Sequence, residues 1–285
     1  MDRPEITLTT DFGTRDSYVG AMKGVILSHC PQANIVDISH EVEPQSISEG
    51  AYVLATGAKY FPSETIHIAV VDPGVGSNRR PIAVQTPIGT FVAPDNGILS
   101  LAIAESVQIP AVSQETSVEG NDNPLTLTQS GLSEECRGAV LDDSSLWLPN
   151  VSRTFHGRDV FAPVAAHIAN GVPISDLGSP LETVGVITSL LSDGTGMSSG
   201  TIVHIDRYGN LITNIPEDAV SKATAFEVAG HRVTGLSRSY SESVGQIMAI
   251  IGSQGTVEIA LGNGNAAEAL KASVGDSVTI LAAGP

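Results

Sequence analysis

The chain has little with which to build covalent or metal-clasped structure. It carries two cysteines, Cys30 and Cys136, and no CxxC pair, so neither a disulfide framework nor a zinc pattern is expected. It is poor in positive charge: 14 lysines and arginines face 31 aspartates and glutamates, a net charge of −17. Such a surface repels phosphate backbones and anionic membranes, which argues against a nucleic-acid or membrane partner and suits a cationic small substrate. The sequence lacks an uninterrupted apolar run of about 18 residues. Its first residues, "MDRPEITLTTDFG", enter a strand-like run without the apolar stretch of a signal peptide. A cytoplasmic, soluble protein is the expectation. What is present is ample core material, 41% hydrophobic in 285 residues, enough for one large domain or two ordinary ones.

The pattern changes style along the chain. "EITLTTDFG", "NIVDISH" and "TIHIAVV" read as strands, the last nearly all apolar and so buried on both faces. Between them, Tyr18, Met22, Val25, Ile26 and His29 fall on one helical stripe, with Asp16 at the N-cap place. A second helix begins at Ser46 or Ser48 in capping-box style with Glu49. "PIAVQT" and "TFVAP" flank a hairpin turn, and "GILSLAIAE" reads as a short helix. This order predicts an α/β domain over 1–190 with a mainly parallel central sheet. Residues 112–150 are polar and weakly periodic and read as an inserted surface loop. After a Gly/Ser-rich linker at 190–200, short alternating strands over 199–285 predict a smaller all-β barrel or sandwich.

Polar clusters recur at strand ends. Asp11, Asp72 and Asp95 each follow an apolar β run, and parallel strands would crowd all three on one rim, where open α/β sheets bind ligands. "VDPGVGSNRR" is neither a phosphate loop nor a dinucleotide loop, since its glycine spacing fits neither and its acid would repel phosphate. Arg79 or Arg80 could fold back on Asp72. His156 precedes a glycine at the start of a helix, a place for an acid/base or water-orienting group, while Arg158 and Asp159 would cap or pin that helix. The same acids are also cation-ligand types, although no HExxH or GNH[DE] run occurs.

These segments carry a resemblance. "TDFGTRDSYVGAMKG", "VVDPGVGSNRRPIAV", "APDNGILS", "TFHGRDVFAPVAA", "IDRYGNLITNI" and "GNGNAA" occur in order over almost the full chain. Together they resemble the S-adenosyl-L-methionine (SAM) hydrolases, or SAM hydroxide adenosyltransferases, water-using relatives of the SAM-dependent fluorinase and chlorinase. The resemblance implies a larger α/β domain, a smaller β domain, and a homotrimer with active sites at subunit junctions. It implies conversion of SAM and water to adenosine and L-methionine, with no metal or cofactor. It implies a catalytic set of Asp72, Arg79 and His156, with Gly157 where the fluorinase pattern has a serine. It places Asp11 on the ribose hydroxyls, Asp16 near the methionine amino group, and Asn210 with Asn265, Ala266 and Ala267 around the adenine. Ser253 would stand near the methionine carboxylate, and Gln254 stands where the halogenases carry an arginine.

The chemistry suits these residue types. Sulfonium makes methionine a good neutral leaving group, so the demand is to align a weakly nucleophilic water with C5′; such placement is worth roughly 7–11 kcal/mol. Asp72 is the natural orienting group, held by Arg79, with His156 donating to or accepting from the same water. Two other readings remain at this point: a metal-dependent nucleotidase or phosphatase, and a non-enzymatic SAM or adenosine sensor.

Overall fold

A computed structural model describes residues 3–109, 115–118, 125–191 and 197–282. The chain divides into two compact units, Met1–Thr188 and Ser189–Pro285. No helix among the described residues is long and apolar enough to cross a membrane.

The first unit opens with β1 (Glu5–Thr10), α1 (Tyr18–His29), β2 (Asn34–Ser39), α2 (Ile47–Ala58), β3 (Ile66–Val70), β4 (Pro81–Thr86) and β5 (Gly89–Pro94). It continues with β6 (Val107–Gln108), β7 (Glu115–Val118), β8 (Leu125–Leu132), β9 (Arg137–Val140), α3 (Ala162–Ala169) and β10 (Thr183–Ile187). Its main sheet runs β2-β1-β3-β5-β4-β9, parallel across β2, β1, β3 and β5, with β4 antiparallel to both β5 and β9. Both faces of β1, β3 and β5 are buried, as their apolar and threonine-rich runs require. Ile6, Leu8, Ile68 and Val70 pack with Met22 and Ile26 of α1 and Val164 of α3 in one core. The Ser46 side chain caps α2 by accepting from Glu49 N.

Three local expectations are corrected. The N-cap of α1 is Ser17, not Asp16, and its side chain makes no capping bond. Tyr18, placed by periodicity on the buried stripe, is 48% exposed because its ring turns to Phe12 and Phe155, while Val19 takes its place in the core. "GILSLAIAE" does not form a helix. Gly97 sits at φ +94° and Ser100 Oγ bonds Gly97 O at 2.5 Å, so the segment makes successive turns and ends in one 3-10 turn, Ala104–Ser106.

The stretch 112–150, expected as a surface loop, holds strands β7, β8 and β9 among its described residues; residues 110–114 and 119–124 lie outside them. The order β10-β8-β6, with β7 also on β8, makes a second sheet. Its polarity misled because it is spent internally. Thr128 and Ser130 are buried, and Gln129 Oε1 accepts from Arg80 Nη2 at 3.2 Å and Thr183 Oγ1 at 3.0 Å.

The second unit contains β11 (Ser199–Ile205), β12 (Leu211–Pro216), β13 (Ala223–Val228), β14 (His231–Thr234), β15 (Ile247–Ile251), β16 (Thr256–Leu261), α4 (Ala266–Leu270) and β17 (Ser277–Ala282). The antiparallel order β14-β13-β17-β11-β12-β16-β15 curls into a nearly closed barrel, with β14 approaching β15. Ile202, Leu211, Phe226, Val257 and Ile259 fill it. Of the expected linker at 190–200, residues 192–196 lie outside the described set.

Candidate active site

Strand register builds the site. Thr10 of β1 lies opposite Val70 of β3, and Ile68 lies opposite Val92 of β5. Asp11, Asp72 and Asp95 therefore leave the sheet on one rim, within about a residue of each other. Their side chains then part. Asp95 Oδ2 accepts from Arg80 Nε at 2.9 Å and Nη2 at 2.5 Å, and Asp95 Oδ1 accepts from Gly185 N at 2.8 Å. Arg80 Nη2 also reaches Thr183 O at 2.9 Å. This pair ties the main sheet to β8 and β10. Arg80, which the residues alone left open as a partner for Asp72 and to which the resemblance gave no role, belongs to it.

Arg79 takes Asp72. Its Nε donates to both carboxylate oxygens at 3.0 Å and its Nη2 closes on Oδ2, a fork with both side chains nearly buried. The turn that brings them together runs through Val75 N to Asp72 O and Ser77 N to Gly74 O, each at 3.1 Å. Gly76 is needed there. Its φ is +78°, and a Cβ would strike Arg153 O, so only glycine lets the 152–156 segment come this close.

That segment delivers His156. Its Nδ1 lies 2.8 Å from Arg79 Nη2. A guanidinium only donates, so Nδ1 must accept; the imidazole is neutral and carries its proton on Nε2. Burial, and then the charge of Arg79, push the His156 pKa below its ordinary value, against the pull of Asp72 and Asp159. His156 is followed by a π-helical turn, Gly157–Phe161, leading into α3. Asp159 pins the turn: it is fully buried and accepts from Arg158 Nε at 2.6 Å and Ser152 N at 2.8 Å. Burial alone would raise the Asp159 pKa, but these donors outweigh it and hold the group low.

Asp11, Asp72 and His156 line one cavity of about 350 Å³ with Phe12, Tyr18, Gln45, Val75 and Phe155. Asp11 Oδ2 accepts from Gln45 N at 2.8 Å. Burial raises the Asp11 pKa, the Gln45 amide opposes this, and the nearby charge of Asp72 adds to the rise. Phe12, Tyr18 and Phe155 stack edge-on or tilted, with centroids 5.2–5.8 Å apart, as an aromatic wall. Sequence reasoning missed this wall and Gln45. The rings were scattered through segments quoted for other reasons, and Gln45, at φ +69°, gives no signal in its residue type. A Cβ on Gly157 would come within 3.3–3.4 Å of Met22, Phe155 and Phe12, so the wall closes tightly at the position where the fluorinase pattern has serine. Asp16 is exposed on the same loop as Asp11 and does not line the cavity. Among the described residues no three of His, Cys, Asp and Glu converge as a metal-binding group.

In the second unit, Asn210, Asn265 and Ala266 come together. Asp206 Oδ1 accepts from Tyr208 N and Asn210 N, and Asp206 Oδ2 from Asn210 Nδ2, all at 2.9 Å. Gly209 O receives Ala267 N at 3.0 Å, joining this turn to the start of α4, which Asn265 caps through Glu268 N at 2.9 Å. Ser253 is not with them. It is exposed in the turn between β15 and β16, at the opposite end of β16, about 17 Å away at about 3.4 Å per residue.

Models of the SAM hydroxide adenosyltransferase N-terminal and C-terminal domains match residues 6–178 and 200–279. The chain is 36% identical to the (R)-S-adenosyl-L-methionine hydrolase of Thermus thermophilus, covering 95% of this chain and 97% of that one. It is 32% identical to the protein of the same name from Salinispora arenicola, covering 98% of both. A crystal structure of an uncharacterized conserved protein from Thermotoga maritima superposes with a TM-score of 0.79 at 30% identity, covering 97% of this chain and all of that one.

Proposed function

The chain belongs to the SAM hydroxide adenosyltransferase family, and from that premise we propose that its cavity hydrolyses SAM to adenosine and L-methionine by in-line attack of water on C5′. The observation that carries the reading is the Asp72–Arg79–His156 assembly, with Asp72 and His156 on the wall of a cavity that Asp11 also lines.

In this reaction positive charge leaves sulfur and appears on the attacking oxygen. A carboxylate beside that oxygen favours the transition state over the ground state, in which the charge is still on sulfur. Asp72 lines the cavity and fits that role. Arg79 fixes its orientation through the two-pronged fork, so the water meets an oxygen already in place. His156 cannot take the proton in this geometry, because Nδ1 accepts from Arg79 and Nε2 already carries hydrogen; it is suited to donate to the water oxygen and aim it. The proton then passes from the water to Asp72, or through it to solvent, as the C5′–O bond forms and the C5′–S bond breaks.

Asp11 is proposed to hold the ribose hydroxyls and Asp16 the methionine ammonium. Asn210, Asn265 and Ala266 are proposed to frame the adenine, with Ser253 at the carboxylate. The separation of Ser253 from the asparagines along β16 supports that division, since SAM carries adenine and carboxylate at opposite ends. A cytoplasmic homotrimer with active sites shared between neighbouring subunits belongs to the same proposal, as does a reaction that needs no metal, cofactor, nucleic acid or membrane.

The test is incubation with SAM in water labelled with heavy oxygen, with EDTA present. Label in the adenosine 5′-hydroxyl is expected, and Asp72→Asn should lower kcat by about 100-fold or more while KM stays within about 3-fold. Activity abolished by EDTA, or phosphate released from nucleotides, would favour a metal-dependent phosphatase. Tight adenosine binding with no turnover would favour a sensor.

A further inference from the structure

We infer that His40, which does not line the cavity, is the positioning residue that sets Asp11 against the substrate, acting through Thr10; the inference rests on the reading of Asp11 as the ribose-binding carboxylate. Thr10 is the last residue of β1 and is fully buried, and His40 follows β2 and is 4% exposed. Two contacts tie them to the loop that begins at Asp11, and two more join them to each other and to Asp37 of β2. Phe12 N donates to Thr10 Oγ1 at 3.3 Å, and Thr10 Oγ1 lies 2.8 Å from His40 Nδ1. Gly13 N donates to His40 O at 2.7 Å, and His40 Nε2 stands 3.0 Å from Asp37 Oδ1, off the axis of a full hydrogen bond.

The donors fix the direction of the chain. His40 Nε2 faces the Asp37 carboxylate, which can only accept, so the neutral ring carries its proton on Nε2 and Nδ1 accepts. Thr10 Oγ1 therefore donates to His40 Nδ1 while it accepts from the Phe12 amide. Asp37 is held in turn by Lys23 Nζ at 2.6 Å. Burial would raise the Asp37 pKa, but Lys23 and His40 outweigh it and keep the carboxylate low. The result is a directed path: Lys23 and His40 to Asp37, Thr10 to His40, and the Phe12 amide to Thr10. It anchors both residues that follow Asp11, while Gln45 N fixes the carboxylate from the other side. Losing the Thr10 hydroxyl would orphan the Phe12 amide and the His40 Nδ1 lone pair together, and the loop could relieve them only by moving Asp11.

The experiment compares Thr10→Val, His40→Ala, the double variant and His40→Asn, whose Oδ1 can take the place of Nδ1. Steady-state SAM hydrolysis and adenosine binding are measured together with hydrogen exchange of the Phe12 and Gly13 amides in the full-length protein without substrate. Thr10→Val and His40→Ala should each raise the SAM KM and the adenosine Kd about 10-fold, with kcat within about 3-fold. The double variant should be no worse than either alone, because both break one path. His40→Asn should restore most of the affinity, and the two amides should exchange faster in the impaired variants only. A fall in kcat at unchanged KM, additive losses, or unchanged exchange in the impaired variants overturns the inference. A wild-type protein that binds no adenosine removes the ribose reading instead, and the exchange data identify which of the two has failed.

Discussion

At His156 a single proton decides what the residue can do. With Nδ1 accepting from Arg79, the neutral ring donates from Nε2; a protonated ring would set a second cation against the guanidinium and break that bond. Burial and Arg79 place its folded pKa below the ordinary 6.5. The contribution of the neutral ring is therefore full above about 6.5 and is lost as pH falls through the lower folded value. We expect kcat to be flat above neutrality and to fall on the acid side. His156→Asn, with an acceptor in place of Nδ1, should move that limb to lower pH, and His156→Ala should cost about 100-fold in kcat at pH 7. An acid limb identical in His156→Asn would remove His156 as its origin. Much of this site was legible in the sequence: Asp72 at a strand end, an arginine one turn later, a histidine before a helix. The choice of Arg79 over Arg80 came from the family resemblance and was not legible in the residues alone. It depends on which side of the turn faces β8 and β10, and that follows from the strand pairing of a segment read as a loop.

Among the elements, β3 carries a second titrating group that does no chemistry. His67 is fully buried, with Nδ1 2.8 Å from Thr7 Oγ1 on β1 and its ring stacked 5.0 Å from Phe91 on β5. Burial lowers its pKa from 6.5 to about 4. Because the folded value is the lower one, the stability of the neutral ring is complete above pH 6.5 and drains as pH falls toward about 4. That gap corresponds to about 3 kcal/mol. Urea unfolding of the wild type between about pH 7 and about pH 4 should show the loss, and His67→Leu should flatten it even if the variant is less stable at neutrality. Equal slopes in the two proteins would assign acid instability to other groups. The strand itself was readable from its apolar, β-branched run. The strands within 112–150 were not, because Gln129 takes hydrogen bonds from Arg80 and Thr183 and the polar Thr128 and Ser130 are buried beside it, which erases the alternation that marks a half-buried strand. The segment 97–105 failed for a different reason: its apolar spacing fits a helix, but Gly97 in the left-handed region and the Ser100 hydroxyl commit the backbone to turns.

For the whole molecule the governing quantity is charge. The chain carries −17, and the cavity adds Asp11 and Asp72 to its wall. SAM carries a net positive charge because its sulfonium adds to a zwitterionic amino acid, whereas adenosine is neutral and methionine is zwitterionic. The field of the protein should thus draw substrate in and hold neither product by its charge. Salt separates this from local contacts. Between about 0.01 M and about 1 M the Debye length falls from about 30 Å to about 3 Å, which screens the surface charge but leaves contacts inside the cavity largely intact. The SAM KM should therefore rise with salt, by about 3-fold or more, while kcat and the adenosine Kd change little. Sodium chloride titrations of all three quantities on the same preparation would decide it. A KM that is flat with salt would confine the electrostatic contribution to Asp11 and Asp72. A parallel weakening of adenosine would show that salt acts on the fold of the site and not on the charge of the substrate.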